Sequence, residues 1–203
     1  MADKYHSDNE LENHKVILDA HTRSEFEILR TGEYYIYREG APEEDRNIAA
    51  DMLFGYPLLI VRDITIDRIA INVRTAAAEG DKVARLGIYK NGTNLLPGDL
   101  LLDAGTVNIS STGVKTITIN QALAKGIYHL AHICNFVYNP WVQRSYHYSS
   151  KPSLGIHPTN FCINWQGWNK AQGYGALPNP FSTDATLYTG FIPLIALRIA
   201  SLD

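Results

Sequence analysis

The 203-residue chain has only two cysteines and no long apolar run. Cys134 and Cys162 lie far apart with no second pair, so the chain contains neither a zinc knuckle nor a CxxC redox motif. No stretch approaches the roughly 20 apolar residues of a membrane-spanning helix. The sequence begins with MADKYHSDNE, which is polar and unlike a secretory signal. We therefore expect a protein that is made in the cytoplasm and is not inserted into a membrane.

The chain also lacks the common catalytic motifs. It has no GxSxG, HExxH or P-loop sequence. His129 and His132 are three positions apart, which places them on opposite faces of a strand, so that strand cannot offer both to one metal ion. We expect no enzymatic activity, no metal and no cofactor. The alternative of a polysaccharide depolymerase requires two carboxylates, for which the candidates are Asp184 with Asp99 or Asp103.

Charge is unevenly distributed along the chain. Residues 1–46 hold 12 of the 21 acids against 6 bases, whereas the rest of the sequence is slightly basic. That basic excess is too dilute for a nucleic-acid surface, so we expect no nucleic-acid partner. Residues 1–48 have too few apolar residues for an independent core. We predict that they form an acidic arm that packs on its own sandwich, on a neighbouring subunit or on a larger assembly.

From residue 49 to residue 203 the sequence predicts one all-β domain, an antiparallel β-sandwich. Apolar and polar residues alternate over residues 64–73, and the apolar set moves from even to odd positions between Ile66 and Ile69. This change predicts a β-bulge near Asp67. Further short strands are predicted at residues 83–89, 100–102, 114–119, 127–134 and 194–199, separated by turns that contain glycine.

Residues 136–188 are rich in aromatic residues, glycine and proline, and they contain all three tryptophans. This composition predicts long loops carried on the sandwich, where binding residues are usually placed. Aromatic rings beside Asn and Gln side chains stack on sugar rings and hydrogen-bond to their hydroxyls. The alternatives are packing beneath the loops and a subunit interface. The candidate glycan-binding residues are Trp141, Tyr146, Tyr148, Trp165, Trp168 and Tyr174.

Several segments, taken in order, resemble a jelly-roll module found at the C-terminal end of many tailed-bacteriophage virion proteins. They are ITIDRIAINVRTAAAEG, ARLGIYKNG, PGDLLLDAGTV, STGVKTITIN, GIYHLA, GALPNPF and ALRI, and the resemblance covers residues 49–199. It implies an antiparallel jelly-roll β-sandwich in a head fibre, a capsid decoration protein, a tail fibre or a baseplate adhesin. It also implies a homo-oligomer, with a trimer favoured by analogy, and it supplies no catalytic residues.

These observations lead to one prediction of function, a non-enzymatic structural protein of a phage virion. The arm of residues 1–48 is expected to anchor the protein to other virion proteins or to sister subunits. The jelly roll of residues 49–203 then projects outward and is a candidate for contact with host-surface polysaccharide. The predicted location is the virion, assembled in the host cytoplasm. The alternatives are a carbohydrate-binding adhesin of the tail and, less favoured, the depolymerase.

Overall fold

A computed structural model describes residues 29–36, 46–77, 80–140, 142–143, 156–157, 160–164 and 166–203. These residues form fifteen strands and one short 3-10 turn at Thr93–Leu95, with no α-helix among them. The strands are β1 (Tyr34–Ile36), β2 (Met52–Ile60), β3 (Ile64–Thr75), β4 (Val83–Asn91), β5 (Pro97–Asn108), β6 (Gly113–Leu123), β7 (Gly126–Cys134), β8 (Asn139–Pro140), β9 (Val142–Gln143), β10 (Ile156–His157), β11 (Asn160–Asn164), β12 (Gly167–Ala171), β13 (Thr186–Tyr188), β14 (Ile192–Pro193) and β15 (Ile195–Leu202). The predicted all-β class is confirmed for this part of the chain.

Antiparallel pairing arranges most of the strands in two sheets. The five-stranded sheet has the order β1-β15-β3-β6, and β8 also pairs with β3. The six-stranded sheet has the order β13-β12-β2-β7-β4-β5. Two further pairs, β9 with β14 and β10 with β11, lie outside these sheets. The two large sheets pack as a β-sandwich, as the alternating sequence predicted.

The main hydrophobic core lies between the inner faces of the two sheets. It is built from aliphatic side chains, each of which contributes about 1.5–3 kcal/mol when fully buried. Its fully buried members include Ile64, Ile66, Ile69, Ile71 and Val73 of β3, Ile195, Leu197 and Ile199 of β15, Leu58 and Ile60 of β2, and Leu86 and Ile88 of β4. The alternation of these residues along each strand sets which face points inward.

Part of the predicted arm belongs to this core. Of residues 1–48, the structure describes 29–36 and 46–48. Leu29 and Ile48 are buried in the main core, and β1 pairs with β15. The described parts of the arm therefore contribute to the sandwich, and the boundary between residues 48 and 49 stays a prediction.

The predicted irregularity at Asp67 is confirmed. The register of β3 shifts at this residue against both of its neighbours, β6 and β15. The extra residue keeps both Ile66 and Ile69 in the core. Asp67 points outward and accepts a hydrogen bond from Nε of Arg198 at 2.8 Å and a second from Nη2. These hydrogen bonds lower the pKa of the Asp67 carboxyl.

The outer face of the six-stranded sheet is covered by residues 172–185, which we call the covering segment. Leu177 and Phe181 of this segment form a second buried cluster with outward-facing side chains of β2, β4 and β7. The amide of Phe181 donates to the carbonyl oxygen of Gly98 at 2.9 Å. The amide of Leu100 donates to Oδ1 of Asn179 at 3.0 Å. Because both faces of this sheet are buried, β2 and β7 are apolar almost throughout instead of alternating.

Two strand glycines make room for the covering segment. A Cβ atom at Gly87 would lie 2.2 Å from Cδ1 of Leu177 and 2.6 Å from the carbonyl oxygen of Leu102. A Cβ atom at Gly55 would lie 2.7 Å from Cγ of Pro97 and 3.1 Å from Cε2 of Phe181. A glycine inside a strand often marks such a close approach of another part of the chain.

We expect Gly87→Ala to lower the free energy of unfolding by about 2–3 kcal/mol, because the added methyl group overlaps a strand carbonyl that cannot move freely. Urea unfolding measures this change. Gly173→Ala is the matched control, since a Cβ atom there meets nothing within 4 Å. It should change the stability by less than about 0.5 kcal/mol. Equal stabilities of the two variants would contradict the close packing at Gly87.

Candidate binding site

Two of the six predicted glycan-binding residues, Trp168 and Tyr174, lie in the described part of the chain. Both pack against the second buried cluster, beneath and beside the covering segment. The structure therefore brings these two residues to the same side of the sandwich. The other four, Trp141, Tyr146, Tyr148 and Trp165, lie outside the described residues.

Trp168 is held by the sheet and by a neighbouring turn. It lies on β12, where it pairs with Gly55 of β2, so its ring faces the outer side of the six-stranded sheet. Its indole Nε1 donates a hydrogen bond to the carbonyl oxygen of Leu95 at 2.7 Å. The indole is half-buried, and its one polar group is already bound by the protein. Packing and the hydrogen bond to the turn account for a tryptophan at this position.

Tyr174 joins the covering segment to the sheet. Its amide donates to Oδ1 of Asp51 at 2.8 Å. Its ring packs on the second buried cluster, and its hydroxyl is buried near Arg85. A hydroxyl in that position does not face a ligand in solvent. Tyr174 thus fits the alternative of packing beneath a loop better than the alternative of stacking on a sugar.

Two of the three carboxylates considered for the depolymerase alternative, Asp103 and Asp184, are engaged in the fold, whereas Asp99 is exposed on β5. Asp103 accepts hydrogen bonds from Nη1 of Arg85 at 2.7 Å and from the amide of Leu177 at 3.3 Å. Asp184 pairs with Nζ of Lys170 and also accepts a hydrogen bond from the hydroxyl of Ser182. The Lys170 contact is the main cause that lowers the pKa of Asp184. These carboxylates tie the covering segment and its neighbours together.

His129 and His132 point to opposite faces of β7, as the strand period predicted. His132 lies in the sandwich interior, where its Nε2 is 2.8 Å from the hydroxyl of Tyr138. His129 lies on the other face, where its Nε2 is 3.0 Å from Oδ1 of Asn91. Burial lowers the pKa of His129 to about 4 and that of His132 to about 3. Both side chains are therefore neutral near pH 7, and each makes a hydrogen bond inside the fold.

The described residues contain no cluster of three or more His, Cys, Asp or Glu side chains that could hold a metal ion. Within the same ranges, no helix has the length and apolar character needed to cross a membrane.

The outer face of the five-stranded sheet carries an apolar groove that the sequence did not reveal. Its volume is about 400 Å³, and its walls include Tyr34, Ile36 and Val114. These side chains are 43%, 45% and 65% exposed. Ala70 and Ala196 lie between them on the central strands β3 and β15. The alternation in β6 predicts a row of outward-facing side chains. The groove itself forms because β1 and β6 lie on opposite sides of β3 and β15, which carry the small alanine side chains between them.

No protein-family model matches this chain, and no curated protein matches it significantly.

We expect Trp168→Ala to lower the free energy of unfolding by about 3 kcal/mol, because it removes buried ring surface and the hydrogen bond to Leu95. Thermal and urea unfolding measure the loss. Trp168→Phe is the control, since it keeps most of the ring surface and should lose about 1 kcal/mol. An unchanged stability of Trp168→Ala, together with lost binding to host polysaccharide, would instead assign Trp168 to a ligand.

The two buried histidines predict acid sensitivity. Their pKa values in the folded protein are below the ordinary value of 6.5, so the unfolded chain takes up protons first. The free energy of unfolding should reach its plateau above about pH 6.5 and decrease as the pH drops toward 4. Near pH 5 each histidine should have lowered it by about 2 kcal/mol from the plateau. Urea unfolding across this range measures the slope. His129→Gln should make the slope shallower, and an unchanged slope would contradict the buried neutral state of His129.

Proposed function

We propose that this chain is a non-enzymatic structural protein of a tailed-phage virion, built on a jelly roll, at the capsid surface or the tail tip. The order of its strands is the observation that carries the proposal. Among the eight main strands, β1, β3, β6 and β15 belong to the five-stranded sheet, and β2, β4, β5 and β7 belong to the six-stranded sheet. The chain changes sheet at each step between them except from β4 to β5.

This path supports a jelly roll, with the sheet β1-β15-β3-β6 facing the sheet β2-β7-β4-β5. Two Greek keys make up the eight strands of that fold, which occurs in viral capsid and lectin domains. In this description β12 and β13 extend the second sheet beyond β2. Since one fold serves many functions, the proposal also needs the resemblance of the ordered sequence segments.

The segments that resemble the phage module fall on the scaffold of the fold. ARLGIYKNG lies on β4, STGVKTITIN leads into β6, GIYHLA lies on β7, and ALRI lies on β15. GALPNPF is the part of the covering segment that contains Leu177 and Phe181. These segments are therefore explained by strands and packing, which supports a shared architecture and a structural role.

The glycan-binding part of the proposal now depends on Trp141, Tyr146, Tyr148 and Trp165. Trp168 and Tyr174 have packing roles in the described part of the chain. A tail adhesin remains the second candidate function only because these four aromatic residues lie outside the described part of the chain. The structural role does not depend on them, because the jelly-roll path of the strands and the resemblance of the ordered segments support it.

The proposal predicts that the protein copurifies with phage particles and that removal of residues 1–28 abolishes this association. The truncation ends before Leu29, because Leu29 is buried and β1 pairs with β15. Density-gradient purification followed by mass spectrometry of the particles measures the association, and circular dichroism checks that the truncated protein is folded.

Trp168→Phe in the full-length chain is the control and should associate like the wild type. Absence of the full-length protein from particles would contradict the virion role. A folded truncated protein that still associates would instead contradict the anchoring role of residues 1–28 and leave the virion role intact.

A further inference from the structure

The two sheets have four edges, and three of them are protected against pairing with another strand. β1 and β13 have only three residues each. β5 is long, but its register against β4 shifts three times. The covering segment also forms hydrogen bonds with backbone groups of Gly98 and Leu100 on β5. Short strands, irregular register and a covering loop are the usual means of protecting a sheet edge.

The fourth edge, β6, has less protection, which consists of the charge of Lys115 and a register shift beyond Thr118. It pairs with β3 on one side, and no strand of the described chain pairs with its other side. Its register with β3 is continuous from Gly113 to Thr118. β6 contains no proline and no acidic residue, and Val114, Thr116, Ile117 and Thr118 favour an extended strand. An edge of this kind is a template for a further strand.

We propose that β6 is a self-association surface on which the β6 strands of two copies pair antiparallel about a two-fold axis. The two five-stranded sheets then form one continuous sheet. A pairing centred on Thr116 places Thr116 opposite Thr116 of the second copy and Val114 opposite Thr118 of that copy. It also covers part of Val114, which is 65% exposed in the single chain. Cross-strand pairs of β-branched residues stabilise such a sheet.

The charge of β6 is compatible with a second copy as the partner and disfavours a pairing centred on Lys115. Lys115 is the one charged residue of β6, so the strand offers no charge pattern to a strongly acidic or basic peptide. In the register centred on Thr116, Lys115 lies opposite Ile117 of the second copy. A register centred on Lys115 would place two ammonium groups opposite each other, which is unfavourable. Moving the centre of the pairing from Lys115 to Thr116 shifts one strand by two residues against the other, which separates the two ammonium groups and keeps the same side chains on each face.

The geometry gives a dimer and not the trimer that the resemblance implies. An edge that pairs with its own copy closes after two subunits, because the same surface is used on both. The regular part of β6 is short, so it buries less than the roughly 800 Å² per partner of a standard stable interface. We therefore expect a weak dimer that forms at tens of micromolar. This inference depends on the β6 edge and not on the proposed virion role.

Sedimentation velocity of the full-length protein from about 1 to about 100 µM tests the proposal in the range expected for a small interface. The wild type should shift from monomer to dimer. Thr116→Lys and Thr116→Glu should each remain monomeric, because like charges then meet at the two-fold axis. An equal mixture of the two variants should form dimers again, because opposite charges meet there.

Thr106→Lys introduces the same charge at an exposed position of the protected β5 edge and should dimerise like the wild type. Circular dichroism checks that each variant is folded. A wild type that is monomeric throughout, a trimer, or a Thr116→Lys variant that dimerises normally would overturn the proposal. A mixture that stays monomeric would also count against the pairing centred on Thr116.

Discussion

The close contact between the covering segment and the six-stranded sheet is the constraint on which much of the structure depends. Leu177 and Phe181 approach the sheet where Gly87 and Gly55 lack side chains. This contact buries the second face of β2, β4 and β7, so β2 and β7 carry mostly apolar side chains on both faces. It also occupies one edge of the sheet through hydrogen bonds to β5. The same few residues thus determine which face and which edge of this sheet are closed.

Burial on both faces also explains the polar groups inside the fold. His132 and His129 lie on opposite sides of β7, and each has one polar partner close to its Nε2 atom. Tyr89 lies on the covered face and donates its hydroxyl to the carbonyl oxygen of Pro178 at 2.7 Å. Burial raises the pKa of Tyr89 and lowers that of both histidines, so all three stay neutral. Neutral side chains can form hydrogen bonds with neighbouring polar groups inside the fold without the free-energy cost of burying a charge.

The sequence predicts those features that depend on neighbouring residues and misses those that depend on distant ones. The register shift at Asp67 is predictable, because the change from Ile66 to Ile69 is local. The packing of Trp168 and Tyr174 is not, since aromatic residues among glycine and proline are typical both of binding loops and of the clusters beneath loops. The groove is also unpredictable from local pattern, because it requires β1 and β6 to be placed in one sheet by pairings that span most of the chain.

The two sheets therefore differ in what they leave exposed. The six-stranded sheet is closed by the covering segment, whereas the five-stranded sheet presents an apolar groove and a weakly protected edge at β6 in the described part of the chain. Val114 belongs to both of these features. Exposed apolar surface and a free strand edge are unfavourable in a protein that remains a monomer, because both promote association. Among the described residues, the side of the sandwich formed by β6 is therefore a better candidate for a binding surface than Trp168 and Tyr174, which pack on the second buried cluster.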